Sequence, residues 1–304
     1  MKRVPKIFHF VFGLKPQEEP FHLSYYLCLA SCIAVNKPDA VYFHYKNLPY
    51  GEWWDRIAPS LVLKPVEENA FINSFDYQNK NVEQFRYAHL ADIIRLEALL
   101  QYGGIYADID SLFVNPVPEW FYEKACIMGK EKVDWHEEAA KRAGGSLCNA
   151  WILAEKDSEF IKLWLEHIYK EFDGSWSAHS TFLPYKLSQQ YPSLIHVEPE
   201  RSFFHFDWSS KGIQDIFVNK VTDLGGVYSI HLWNHLWWKP TRTDFTYFHH
   251  LRFTPNYVAH AETTYSYIAR HFLPADVQTD ALQYKQDRCR ERVENVRLFF
   301  QKYI

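Results

Sequence analysis

Two adjacent glycines, Gly103 and Gly104, stand between the chain's clearest helix and a strand, and that junction constrains the fold more than any other feature. From Val82 to Tyr102 there is neither proline nor glycine. Leu90, Ile93, Ile94, Ala98 and the neighbouring leucines give this stretch a wide apolar face. Glycine directly after it accepts the left-handed conformation that closes a last helical turn. "IYADIDSLFV" then reads as a strand.

The same alternation runs through the chain. "KIFHFVF" from Lys6 to Phe12 is nearly continuous in apolar residues, the pattern of a parallel strand covered on both faces. His22 to Val35 carries Leu23, Leu27, Ala30 and Ala34 at helical spacing and stops at Asn36 and Pro38. "AVYFHY" and "LVLKPV" supply further strands, so the first 45 residues predict a βαβ unit. "ACIMG", "NAWILAE", "LIHVEP" and "VYSIHLW" alternate with helical stretches near Ser158 to Glu171 and Ser180 to Gln190. Alternation of this kind predicts an α/β fold, a mostly parallel sheet with helices on both faces. Asp276 to Ile304 predicts one charged C-terminal helix, and the polar stretch Lys130 to Gly145 a mobile loop.

Composition narrows the function classes. A formal net charge of -4 supplies no basic surface for neutralising phosphates, which argues against a nucleic-acid partner. Five cysteines without a CxxC pair or a dense framework favour a reducing, cytoplasmic setting. The apolar start is broken by His9 and lacks a cleavage signal, and no apolar run reaches spanning length. Peripheral contact with the inner membrane surface is the form that membrane association would take. Aromatic residues make up 18%, enough to stack on sugars or bases or simply to fill a core.

Asp108 and Asp110 are the residues a buried strand explains least. With side chains alternating, Tyr106, Asp108 and Asp110 share one face of the expected strand. Two ionised carboxylates so close repel each other unless a proton or cation lies between them. Mg²⁺ or Mn²⁺, which take carboxylate oxygens, water and substrate phosphates, satisfy both acids. A bare D-x-D arises by chance about once in a chain of this length. The upstream helix adds weight, because Asp92 and Arg95 lie at i and i+3 on one helical face.

Helix, Asp, Arg, paired Gly, Tyr and D-x-D in this order resemble the DXD-containing sugar-binding region of a family of retaining glycosyltransferases. Yeast-type mannosyltransferases, α-galactosyltransferases and bacterial capsule enzymes belong to that family, and clostridial glucosylating toxins share the arrangement. The resemblance implies a GT-A-like, Rossmann-type fold and a metal-dependent transfer of sugar from a nucleotide-diphosphate donor to a glycan or lipid-linked saccharide, with retention. A UDP-sugar is favoured over a GDP-sugar, and Mn²⁺ over Mg²⁺. Asp92, Arg95 and Tyr106 are implied to hold the donor, with Arg86 on the same helix. Asp108 contacts ribose, sugar or metal, and Asp110 is the direct metal ligand. "VPKIFHFVFG" is similar to the family's first strand beside the base, which places Phe10 and Phe12 there, with Phe12 where the family often has Trp.

Later segments match more loosely. "LCNAWILAEKDSEF" resembles an Asn-containing strand, which leaves Asn149 facing sugar or acceptor as a catalytic-site residue, or capping a turn. "FDGSWSAHST" departs from the Thr-Gly-Pro motif that relatives often carry there. "VYSIHLWNHLWWKP" resembles a late His-x-Trp segment, so that His231 either completes the metal shell or packs among aromatics with His235. Trp233, Trp237 and Trp238 are a lid, an acceptor platform or core, and Lys239 reaches the diphosphate or solvent. The implied division is a catalytic domain over 1–272, with a nucleotide-sugar half at 1–120 and an acceptor half at 121–272, and a helix at 273–304 packed on it. Two other classes stay open: a phosphohydrolase of the haloacid-dehalogenase type using the D-x-D pair, and a glycan-binding protein without turnover.

Overall fold

The computed structural model describes residues 4–67, 69–77, 86–237 and 253–303. Its strands, in chain order, are β1 (Ile7–Phe12), β2 (Ala40–Tyr45), β3 (Val62–Pro65), β4 (Gly104–Ala107), β5 (Ser111–Phe113), β6 (Cys126–Lys130), β7 (Leu147–Ala154), β8 (His196–Glu198) and β9 (Ser229–His231). Among the described residues one sheet has the order β3-β2-β1-β4-β7-β6-β8, and β5 pairs with β9 in a separate ribbon. β3, β2, β1 and β4 are mutually parallel, β7 runs antiparallel to β4 and β6, and β8 is parallel to β6. This is the mostly parallel, helix-flanked sheet expected from the alternation of elements.

Alternate side chains of the central strands feed two cores. Phe8 and Phe10 of β1 with Ile105 and Ala107 of β4 pack on the side of the helix Leu23–Asn36. Val11 and Tyr106 pack on the side of the helices Arg86–Tyr102 and Glu159–Glu171. His9 is buried within this strand and is satisfied there: its Nε2 donates to the Gly103 carbonyl at 2.8 Å, which leaves Nδ1 to accept from His44 Nε2 at 3.0 Å. Burial lowers His9 to about 4 and His44 to about 3, so both are neutral near pH 7.

The Gly103-Gly104 junction works as expected. Gly103 (φ +67) donates to Leu99 O at 2.8 Å and ends the helix. At Gly104 (φ +117) a Cβ would lie 2.4 Å from the Ile7 carbonyl, so only glycine lets β4 approach β1.

One expectation fails. "IYADIDSLFV" is not a continuous strand: the chain leaves β4 after Ala107, turns through Asp108 to Asp110 with Ser111 N–H donating to Asp108 O at 3.1 Å, and re-enters as β5. The break arises because β5 pairs with β9, outside the main sheet. The stretch expected to be a mobile loop contains a short helix, Glu138–Ala143. The C-terminal helix spans Ala281–Tyr303, with Tyr284 against the core. No described helix is long and apolar enough to cross a membrane. All five cysteines are free thiols, and only Cys289 is exposed.

Candidate active site

The strand order places a switch point between β1 and β4, because the chain proceeds from β1 outward to β2 and β3 and then returns to β1's other edge as β4. Ligands of open α/β sheets bind at the carboxyl ends of strands at such a point. There the molecule has an open cavity of about 790 Å³, lined among others by Phe12, Asp92, Arg95, Tyr106, Asp108 and Asp110.

Asp108 and Asp110 converge because of the turn, not because of strand pleating. Asp108 N–H is held by Ala150 O at 2.9 Å, and Leu232 N–H by Asp110 O at 2.8 Å, so each acid is tied to a different strand pair. Asp108 Oδ1 accepts from the Tyr106 hydroxyl at 2.5 Å and lies 3.4 Å from Arg95. Asp110 Oδ1 accepts from His231 Nε2 at 3.0 Å and its Oδ2 from the Asn234 backbone N–H at 2.9 Å. That last bond depends on Trp233, whose φ of +56 turns the chain back on itself. A non-glycine residue held there costs about 1–2 kcal/mol.

One ligand atom each from Asp108, Asp110 and His231 lie within 4.8 Å of one another. Burial alone would raise both carboxyls. His231 and the Asn234 N–H outweigh it at Asp110 and hold that group at about 2, whereas at Asp108 burial wins over Arg95 and His231, and the group is raised. His231 is raised, because Asp110 and Asp108 more than offset burial. Its Nδ1 is buried without a hydrogen-bond partner among the described residues, so the ring is oriented by packing on Trp233 at 4.2 Å. Two carboxylates and one imidazole, tightly spaced and excess in negative charge, are a donor set that suits Mn²⁺ or Mg²⁺.

Asp92 and Arg95 form a second cluster on the wall of the same cavity. Arg95 bonds Asp92 Oδ1 at 2.9 Å and the Asn149 carbonyl at 2.8 Å, and lies 4.5 Å over the Tyr106 ring. Burial disfavours its charge, but Tyr106, Asp108 and Asp92 overcome that and raise it. Asp92 is likewise lowered against burial by Arg95 and His179.

The expected site residues divide accordingly. Phe12, Asp92, Arg95, Tyr106, Asp108, Asp110 and His231 line the cavity together. Phe10 does not reach it: one pleat deeper on the same face of β1, it is fully buried against Phe113. Arg86 is also turned away, donating to the carbonyls of Ile72, Asn73 (3.1 Å) and Phe75 (3.2 Å) and stacking on Tyr77, where it closes the short helix Ala70–Ser74. Asn149 stands behind the wall, donating its amide to Asp92 Oδ1 at 2.7 Å. Trp233 is core, donating to Phe206 O at 2.9 Å, while His235 lines the cavity. Trp238 and Lys239 lie outside the described residues, as does the side chain of Trp237. Tyr25, Trp176 and Ser180 also line the cavity, and His179 bonds Asp92 at 2.9 Å. No local motif marks Tyr25, whereas Trp176, His179 and Ser180 fall in "FDGSWSAHST", whose departure from the Thr-Gly-Pro motif hides their role.

Residues 39–127 match the family described as "glycosyltransferase sugar-binding region containing DXD motif". Glucan organizing enzyme 1 of Cryptococcus neoformans var. grubii is 34% identical over 243 residues, covering 77% of this chain and 63% of that protein. Subversion of eukaryotic traffic protein A of Legionella pneumophila subsp. pneumophila is 24% identical over 147 residues, 48% of this chain and 21% of that protein. The chain thus spans less than two thirds of the length of either relative. Among solved structures, the galactosyltransferase LgtC in complex with donor and acceptor sugar analogs has a TM-score of 0.47 at 13% identity, covering 88% of this chain and 97% of that one. Mouse xyloside xylosyltransferase 1 has a TM-score of 0.44 at 11% identity, covering 74% and 96%. Both structural likenesses are weak, and the layer order rests on the strand pairing itself. Residues 39–127 are thus similar to the sugar-binding region, containing a DXD motif, of a family of glycosyltransferases.

Proposed function

We propose that the protein is a metal-dependent glycosyltransferase that moves a sugar from a nucleotide-diphosphate sugar to a saccharide hydroxyl, with retention. One observation carries this reading: the Asp92–Arg95 cluster and the Asp108–Asp110–His231 cluster line one cavity at the sheet's switch point. A divalent ion held by Asp108, Asp110 and His231 would supply Lewis-acid stabilisation of the charge left on the diphosphate. The Asn234 N–H holds Asp110 in place for that task, and Tyr106 and Arg95 do the same for Asp108; His231 Nε2, 3.0 Å from Asp110, would release its hydrogen to join them at the ion. Asp92 accepts from sugar hydroxyls, and Arg95 keeps it ionised. Phe12 and Tyr25 offer aromatic faces to the base at the end of β1. Both Asp92 oxygens are held, by Arg95, Asn149 and His179, which leaves the acid one lone pair for a hydroxyl and favours same-face attack, with the leaving phosphate taking the acceptor proton, over a covalent intermediate on that acid.

A UDP-sugar is the first donor to test and a GDP-sugar the second, with Mn²⁺ before Mg²⁺. The relative named a glucan organizing enzyme makes a glucan the first acceptor to test, ahead of a lipid-linked saccharide. Residues 1–272 act as the catalytic domain, with 273–304 packed on it. The free thiols fit a reducing, cytoplasmic location, with peripheral contact at the inner membrane surface.

The test is nucleotide release from a panel of UDP- and GDP-sugars with Mn²⁺, with and without glucan. Acceptor-stimulated release is expected. Hydrolysis of a phosphate ester without release from any donor would overturn the reading in favour of a phosphohydrolase, and glycan binding without release in favour of a binding protein.

A further inference from the structure

Asp92 is held from behind by a residue far away in the chain. Its Oδ1 takes both Arg95 and the Asn149 amide, and its Oδ2 takes His179 Nε2 at 2.9 Å. A carboxylate only accepts, so Nε2 carries the hydrogen. The His179 side chain is 3% exposed, packed against Phe172 at 4.8 Å and edge-on to His89 at 5.1 Å. Its backbone is pinned as well, because Trp164 Nε1 donates to His179 O at 2.8 Å.

The backbone around His179 is unusual in a way that matters. Ala178–Phe182 is a π-helical turn, in which Phe182 N–H donates to Ser177 O at 3.1 Å and Leu183 N–H to Ala178 O, ahead of the regular helix Leu183–Gln190. Such a turn inserts one residue, and each residue of a regular helix rotates the side chains by about 100°. The insertion lets His179 face Asp92 while Ser180 and Trp176 face the cavity. A regular helix through this stretch would direct His179 elsewhere.

We propose that His179 is a positioning residue for the donor sugar: it fixes the Asp92 carboxylate so that its remaining Oδ2 lone pair meets a sugar hydroxyl, and the π-helical turn exists to place it. This rests on the glycosyltransferase reading. His179 is not one of Asp108, Asp110 and His231, the residues that would hold the ion, so its removal would separate sugar binding from nucleotide binding.

The test uses H179Q and H179N, both smaller and polar. The Gln amide reaches the position of Nε2, and the Asn amide falls short of it. Binding of UDP-glucose, UDP-galactose, UDP-N-acetylglucosamine and GDP-mannose, and of UDP and GDP alone, is measured by calorimetry with Mn²⁺, together with KM and kcat for whichever donor turns over. H179N is expected to raise KM and weaken nucleotide-sugar binding about tenfold, the loss of one charge-assisted hydrogen bond. Free nucleotide should bind within about twofold of wild type and H179Q within about threefold for both. Equal weakening of nucleotide and nucleotide sugar, unchanged KM in H179N, or no recovery in H179Q overturns the positioning role. Wild type that binds none of the four donors overturns the glycosyltransferase reading itself, and the proposal with it.

Discussion

The two carboxylate clusters on the cavity wall differ in how completely the protein satisfies them. Around Asp92 every partner is a fixed donor: Arg95, the Asn149 amide and His179. Around Asp108 and Asp110 the protein falls short, because Asp108 Oδ2 stands 3.7 Å from His231 Nε2, beyond hydrogen-bonding distance. A satisfied, charge-balanced cluster is rigid and suited to reading neutral hydroxyls. An under-satisfied pair of acids is suited to a cation. On the proposed reading, similar side chains would take different tasks because their surroundings differ.

Asp110→Ala tests this contrast most severely. Metal-dependent turnover should fall about a thousandfold or more, since the proposed direct ligand is lost. Mn²⁺ affinity, read by electron paramagnetic resonance, should fall with it while the melting temperature stays close to wild type. Retained Mn²⁺ binding would erase the distinction between the clusters.

Asp92→Asn should do the reverse. Mn²⁺ affinity should hold within about twofold, catalytic efficiency should fall about tenfold to a hundredfold, and urea denaturation should register a loss of about 2–3 kcal/mol, because Arg95 loses a buried counter-charge.

Gly104→Ala probes the junction that brings both clusters to one cavity. The clash at the Ile7 carbonyl and the φ of +117 should cost about 1–3 kcal/mol in the same urea titration. Turnover measured well below the melting temperature should survive. A neutral effect would mean that β4 can shift without disturbing the site.

The remaining prediction concerns pH. His9 and His44 are lowered to about 4 and about 3, against an unfolded value of 6.5. Between those values the unfolded chain binds more protons, so these groups contribute stability above pH 6.5 that is lost as pH falls toward 4. The urea midpoint should therefore drop between pH 7 and pH 5, and His44→Gln should flatten that slope. A midpoint that rises on acidification would show that other groups dominate.

Much of this was legible in the chain. The helix ending at Gly103, the strands Ile7–Phe12 and Ala40–Tyr45, and the approach of Asp92, Arg95 and the D-x-D acids follow from local periodicity and from glycine's freedom of φ. These features act over a few residues, where spacing alone fixes who can meet. Phe10 and Arg86 lie away from the cavity for reasons that spacing does not reveal: Phe113 covers Phe10, and helix-end carbonyls take Arg86.

What the amino-acid sequence determined by itself was the set of chemical groups near one glycine junction. Tertiary structure alone decided their division of labour. His231 reaches Asp110 across 121 residues, and His179 reaches Asp92 across 87. Such distant contacts arise from β9 pairing with β5 and from a π-helical turn against the helix wall. Electrostatics inside a cavity depends on every group within a few ångströms, and the chain brings those groups together only by folding.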